Sequence, residues 1–234
     1  MCWTGHFSEI TTMIVDATGQ LLITGAKDTF IKIWALPECV LIATLSGHKG
    51  DVINVVLSST NTFLFSCSVD KTICLYSLVD GSFKGRIRSK CAFEKICLSP
   101  NDKYLAAACD DGCCRIYKVN SEIPHVEKEP FISITFPGSQ KIISVDFLDD
   151  NILGFASETG DIIIASLSTK NSISTYYGAE SGNEIRFLRN NSLIVRNFKE
   201  KTISILKASE CKKYDIKIQM QYVDGMKKKI QSYD

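Results

Sequence analysis

The chain has 234 residues, 45% hydrophobic and 23% charged, with a formal net charge of +1. This length and balance suit one large all-β domain of ordinary globular composition. A near-neutral charge supplies no global field for nucleic acid or a membrane surface, so such a partner would need a local patch. No apolar run approaches the roughly 18 residues that span a bilayer, and the N-terminus lacks the basic and apolar blocks of a secretory signal. None of the ten cysteines sits as C-x-x-C. Cys67, Cys74, Cys97 and Cys109 fall in apolar strand-like runs, which fits small buried hydrophobes kept reduced in cytoplasm or nucleus. The sequon Asn190-Asn191-Ser192 does not change that expectation.

From the N-terminus, the first segment opens on Gly5-His6 and alternates like a set of four strands, predicted at 10–15, 20–25, 29–36 and 39–45. Ile31 and Ile33 alternate with Phe30, Lys32 and Trp34, the period of two that a packed strand requires. The second segment repeats the first after 42 residues. Gly47-His48 follows Gly5-His6, and Leu64-Phe65-Ser66-Cys67-Ser68-Val69-Asp70 follows Leu22-Ile23-Thr24-Gly25-Ala26-Lys27-Asp28. Each aspartate precedes a large aromatic by six positions, Trp34 and then Tyr76. Near the end of this segment Lys84, Arg86, Arg88 and Lys90 alternate with Phe83, Gly85, Ile87 and Ser89. On an outermost strand that spacing puts four cations on one face, either as a guard against edge-to-edge pairing or as a candidate anion-binding site.

A third copy stays in phase at Leu105-Ala106-Ala107-Ala108-Cys109-Asp110-Asp111, with Tyr117 six residues after Asp111. Residues 122–129 read as a polar connector carrying His125, alone. Two later segments keep only the strand pattern. Residues 152–167 form two strands around Ser157-Glu158-Thr159-Gly160, and 192–206 form two around Phe198-Lys199-Glu200-Lys201. In-phase alignment puts Thr159 and Glu200 at the aspartate position. An outer strand is expected near 214–222, and Met226-Lys227-Lys228-Lys229-Ile230 forms a basic tail.

Periods of 40–45 residues that open on Gly-His and end a strand on Trp resemble the WD40 family, whose unit is a four-stranded propeller blade. The resemblance implies an all-β, WD40-type β-propeller of about five four-stranded blades, at 5–46, 47–88, 89–135, 136–178 and 179–223, with a tail at 224–234. The run Gly25-Ala26-Lys27-Asp28 to Ile31-Lys32-Ile33-Trp34, then Leu41 to Gly50, is also similar to the N-terminal propeller of bromodomain-and-WD-repeat proteins. Rings of this family close by an N-terminal strand that completes the last blade. Only four residues precede Gly5, so the expectation is a small five-bladed ring, an open arc, or a propeller that a partner completes.

The same resemblance assigns His6, Thr24, Asp28 and Trp34 to one hydrogen-bonded set. The chemistry agrees: an indole N–H only donates, a hydroxyl relays, an imidazole accepts at one nitrogen and donates at the other, and a carboxylate ends the series. The second set is His48, Ser66, Asp70 and Tyr76, whose phenol has a shorter reach. In the third only Asp111 and Tyr117 remain. A hydrolytic triad occurs once at one pocket, whereas these groups recur at blade spacing, so no enzyme is expected. No metal site, phosphate loop or cofactor fingerprint is present either.

Recognition in a propeller belongs to loops. Phe7, Ser8, Glu9, Lys27, Lys49, Asp51, Val69, Glu94 and Asp110 are expected on one rim that binds protein. The sequence therefore reads as a non-catalytic scaffold for protein–protein interactions in a complex, cytoplasmic or nuclear, with no membrane or small-molecule substrate. The alternative is a chromatin or nucleic-acid binder using the basic edge.

Overall fold

The computed structural model describes residues 5–120, 125–169, 171–176, 183–188, 192–197, 202–207 and 216–219. Regular structure among them is all β apart from a 3-10 turn at Pro137–Ser139. The first sheet holds β1 (Ile10–Val15), β2 (Leu21–Ala26), β3 (Ile31–Ala35) and β4 (Val40–Leu45), antiparallel and in chain order. These strands lie within two residues of the expected ones. The second sheet repeats the order with β5 (Val52–Leu57), β6 (Phe63–Ser68), β7 (Thr72–Ser77) and β8 (Phe83–Arg88).

The third sheet departs from four equal strands. β9 (Phe93–Leu98), β10 (Tyr104–Cys109) and a long β11 (Cys113–Asn120) pair in order. The outer position on β11 is then shared by β12 (His125–Val126) and β13 (Ile132–Thr135). The polar connector expected at 122–129 is thus partly strand, because Val126 is buried in the core between the second and third sheets. The fourth sheet is β14 (Ile142–Phe147), β15 (Ile152–Ser157), β16 (Ile162–Ser166) and β17 (Asn171–Tyr176). The fifth is β18 (Asn183–Phe187), β19 (Ser192–Asn197), β20 (Thr202–Lys207) and β21 (Ile216–Gln219).

Each sheet packs on the next through its innermost strand: β1 on β5, β5 on β9, β9 on β14, β14 on β18. Among the described residues the fifth and first sheets share no packing of that extent. The five inner strands surround a channel of 470 Å³ lined by Thr12, Asn54, Lys95, Ile143 and Glu184, one from each sheet. A bulge recurs in four of these strands, at Thr11, Ile53, Glu94 and Ile143. An extra residue at one position increases local twist, and all four line or border the channel. Polar inner-strand side chains then bond the next sheet's backbone. The amide of Ile96 donates to Asn54 (3.2 Å), and those of Ile185 and Phe187 donate to Ser144 (3.2 Å) and Asp146 (2.8 Å).

The cores lie between sheets. Ile23, Ile31, Ile33 and Leu45 of the first meet Val55, Leu64, Cys74 and Tyr76 of the second. On each sheet, one face therefore meets the preceding sheet. At one in-phase position of that face, Val55, Ile96 and Val145 are 3%, 1% and 0% exposed, whereas Met13 of the first sheet is 66% exposed. Val15 beside it is 50% exposed. Among the described residues the first sheet thus leaves Met13 and Val15 exposed on the face that its successors bury, with Met13 also bordering the central channel.

Candidate functional site: the polar rim and its networks

Trp34 Nε1–H donates to Thr24 Oγ1 (2.9 Å). Thr24 reaches His6 Nε2 at 2.8 Å, and His6 Nδ1 reaches Asp28 Oδ2 at 2.8 Å. With the indole as donor only, the Thr24 hydroxyl donates to Nε2 and the Nδ1–H donates to the carboxylate. Asp28 also accepts the amides of Phe7 (2.9 Å) and Phe30 (3.1 Å), so one side chain holds the loop before β1 and the turn between β2 and β3. Gly5 has no alternative residue here: a Cβ would stand 2.8 Å from the Trp34 ring.

In the second sheet Ser66 bonds His48 Nε2 (2.7 Å), and His48 Nδ1 lies 3.2 Å from Asp70. Asp70 accepts the Lys49 and Thr72 amides at 2.8 and 3.0 Å. Tyr76 differs from Trp34. Among the described residues its hydroxyl is buried without a hydrogen-bond partner, under Gly47, where a Cβ would lie 2.5 Å from it. Because a buried hydroxyl with no partner costs desolvation and returns nothing, Tyr76→Phe should be neutral or stabilise by up to about 1 kcal/mol. Thermal melting of the variant checks this, and a loss beyond about 1 kcal/mol would show that the hydroxyl has a partner.

The third sheet divides the aspartate's work between neighbours. Asp110 accepts the Ala92 amide of the leading loop (3.0 Å), while Asp111 accepts the Cys113 amide of the turn (3.1 Å). Asp111 is also paired with Arg115 (2.5 Å), whose other nitrogen reaches Cys91 Sγ at 3.0 Å. Tyr117 is buried in the apolar core. The ligand atoms of Cys91, Cys109 and Asp111 lie within 4.8 Å of one another, but Arg115 supplies the positive charge of this cluster. Arg115, four residues past the turn residue Asp111 and placed on β11, is the signal that sequence reading passed over.

Both network carboxyls sit below the usual carboxylate range. Burial alone raises them, but amide, hydroxyl and imidazole donors outweigh it at Asp28 and Asp70. At His48 burial pulls downward, yet Cys74 and Asp70 raise it overall. Depressed carboxyls stabilise above about pH 3.9 and lose that contribution as pH falls through their folded values. A raised histidine stabilises fully below about pH 6.5 and loses that contribution as pH climbs through its folded value. Melting temperature against pH is therefore expected to peak between about pH 4 and 6.5, and a flat profile across neutrality would contradict the His48 coupling.

The rim residues gather where loop meets turn. Backbone bonds join Lys27 to Glu9 (2.9 Å), Val69 to Asp51 (3.1 Å), Asp110 to Ala92 (3.1 Å) and Glu158 to Lys141 (2.9 Å). Phe7 is 91% exposed, Ser8 and Lys49 are exposed, and Lys27 pairs with Glu9 at 2.6 Å. Glu94 lies deeper, at the channel bulge, paired with Lys141 at 2.8 Å.

The four cations near β8 do not share one face. A bulge between Leu75 and Tyr76 leaves Lys84 as the extra residue, so the alternation breaks there, and Lys84 pairs with Asp80 at 3.2 Å. Arg86 turns inward, donating to the Gly47 carbonyl and lying 5.4 Å from the Phe83 ring. Arg88 and Lys90 are exposed.

The turns at the opposite ends of the strands carry a second recurring set. Asp16 accepts the Gln20 and Leu21 amides (both 2.8 Å), Ser58 accepts those of Thr62 and Phe63 (3.0 and 3.1 Å), and Ser99 accepts that of Tyr104 (3.1 Å). Bridges to the next sheet start here. Asn61 donates to Asp16 (3.0 Å), the Ser59 hydroxyl to Asp102 (2.7 Å), and the Asn101 amide to Asp150 (2.9 Å).

With blades, networks and rim in place, the class is defined: this chain carries WD40 repeats. Residues 1–35, 39–77 and 85–118 match the family model described as WD domain, G-beta repeat. The chain is 28% identical over 109 residues to small ribosomal subunit protein RACK1y of Oryza sativa subsp. japonica, covering 47% of this chain and 32% of that one. It is 24% identical over 155 residues to a bromodomain and WD repeat-containing protein of Dictyostelium discoideum, covering 62% and 7%. It is 24% identical over 168 residues to eukaryotic translation initiation factor 3 subunit I of Mycosarcoma maydis, covering 68% and 48%. The chain spans less than half the length of each of these relatives. No helix among the described residues is long and apolar enough to cross a membrane.

Proposed function

We propose that this chain is a non-catalytic scaffold that holds proteins together in a multiprotein complex of the cytoplasm or nucleus, one partner capping its first sheet. The observation that carries the reading is Met13, 66% exposed where Val55, Ile96 and Val145 are buried against a neighbouring sheet. A bare face built for sheet-on-sheet packing calls for a macromolecular cover. The histidines and aspartates that could suggest catalysis are occupied in holding loops to turns. Relatives named as a small ribosomal subunit protein and an initiation factor subunit support the same reading. A nucleic-acid partner fits less well, because Arg86 is held by Gly47 and Lys84 by Asp80.

The test is gel filtration of the chain purified at native abundance, with and without nuclease. The wild type should run far above its 26.0 kDa with proteins attached, and Met13→Asp should release it. A chain that runs alone sinks the scaffold reading, while release by nuclease alone would install the nucleic-acid reading in its place.

A further inference from the structure

Away from the rim, a cleft of 730 Å³ opens between β8 and the β12 segment. Its lining includes Leu75 and Val126, which are 1% and 4% exposed, and four basic residues: Lys84, Arg86, Arg88 and Lys128. Arg86 is occupied at Gly47 and Lys84 at Asp80, but among the described residues Arg88 and Lys128 make no ion pair. Among the described residues β8 is the last strand of its sheet and pairs with β7 alone, so its outer edge joins no further strand of a ladder. Gly85 lies midway along that strand, and a Cβ added there would meet nothing within 4 Å. An apolar base, a bare strand edge, room above a glycine and two unpaired cations lie together in one cleft.

We propose that this cleft binds an extended acidic segment of a partner protein, lying along β8 with carboxylates toward Arg88 and Lys128. The inference rests on the scaffold reading and names one surface and one partner chemistry for it. Strand addition supplies main-chain hydrogen bonds, and alternate side chains meet the apolar base and the cations. A nucleic acid suits the cleft less well. It would have to bring phosphates over Leu75 and Val126 and past Glu129, and the chain has a net charge of only +1.

The full chain is titrated at low salt into fluorescein-labelled peptides of alternating Glu and Val or of alternating Lys and Val, and into an oligothymidylate, with anisotropy as readout. The Glu–Val peptide should bind, and should weaken as salt rises. The double change Arg88→Glu, Lys128→Glu should weaken it by at least about tenfold. Gly85→Val should do the same by filling the cleft, and its melting temperature should not fall, because the added methyls enter open space. Equal binding of the Lys–Val peptide, tighter binding of the oligothymidylate, or indifference to all three substitutions would overturn the proposal. A chain that binds the Glu–Val peptide in this way yet runs alone from cells would retain the cleft and lose the scaffold reading, so the two failures are separable.

Discussion

Replacing Asp28 with alanine is expected to destabilise the fold by roughly 1–3 kcal/mol, the cost of leaving a buried imidazole N–H and two backbone amides without their acceptor. The donors are specific. His6 Nδ1–H, the Phe7 amide and the Phe30 amide all end on this carboxylate. In a chain of this size that is a fall in melting temperature of roughly 2–12 °C. Thr159 occupies the in-phase position of the fourth sheet, where its hydroxyl is exposed and meets Ser157, Gln140 and Asp161. Water can replace those contacts, so Thr159→Ala should cost no more than about 0.5 kcal/mol. Equal losses in the two variants, measured by calorimetry side by side, would mean that Thr159 holds its turn as strongly as Asp28 does, and the alignment that makes it a degenerate copy would be wrong.

The second large effect contrasts Val55→Asp with Met13→Asp, one substitution at one repeat position in adjacent sheets. Val55 is 3% exposed in the core shared by the first two sheets, where a carboxylate finds no partner. The cost there should be at least about 3 kcal/mol, enough to unfold a marginal domain. Met13 is 66% exposed, so the same change in the isolated chain should move stability by less than about 1 kcal/mol. Urea titration of both variants measures the difference. A heavy cost at Met13 in the isolated chain would show that its face is covered in solution, by another copy or by closure of the ring.

Much of this architecture is legible in the amino acids because one physical unit is written several times. A shift of 42 aligns His6 with His48, Thr24 with Ser66 and Asp28 with Asp70, and the six-residue step from aspartate to aromatic marks the hairpin between. Alternation then locates the strands, since a strand buried on both sides tolerates few interruptions. Three features escape that reading for identifiable reasons. The bulge at Lys84 moves side chains across the sheet without changing the sequence pattern, so the basic edge looks continuous and is not. Asp110 and Asp111 divide one task, which identity alone cannot apportion, because adjacent residues on a turn point to different donors. The bridges among Asp16, Asn61, Ser59, Asp102, Asn101 and Asp150 join residues of neighbouring sheets, and such polar turn residues resemble ordinary loop chemistry until the sheets are assembled. Yet Asp16, Ser58 and Ser99 do recur at steps of 42 and 41, a periodicity hidden because aspartate and serine perform the same capping bond with different atoms.

The cysteines of the core give the molecule a chemical clock of its own opening. Cys67 faces the boundary of the second and third sheets, and Cys97 that of the third and fourth. Burial pushes both thiols above their ordinary range and closes them to reagents. Each therefore alkylates only when its own boundary parts. A pulse of iodoacetamide followed by peptide mapping would time the separation of each pair of sheets independently. The order in which those two thiols acquire label would record which seam of the propeller gives way first.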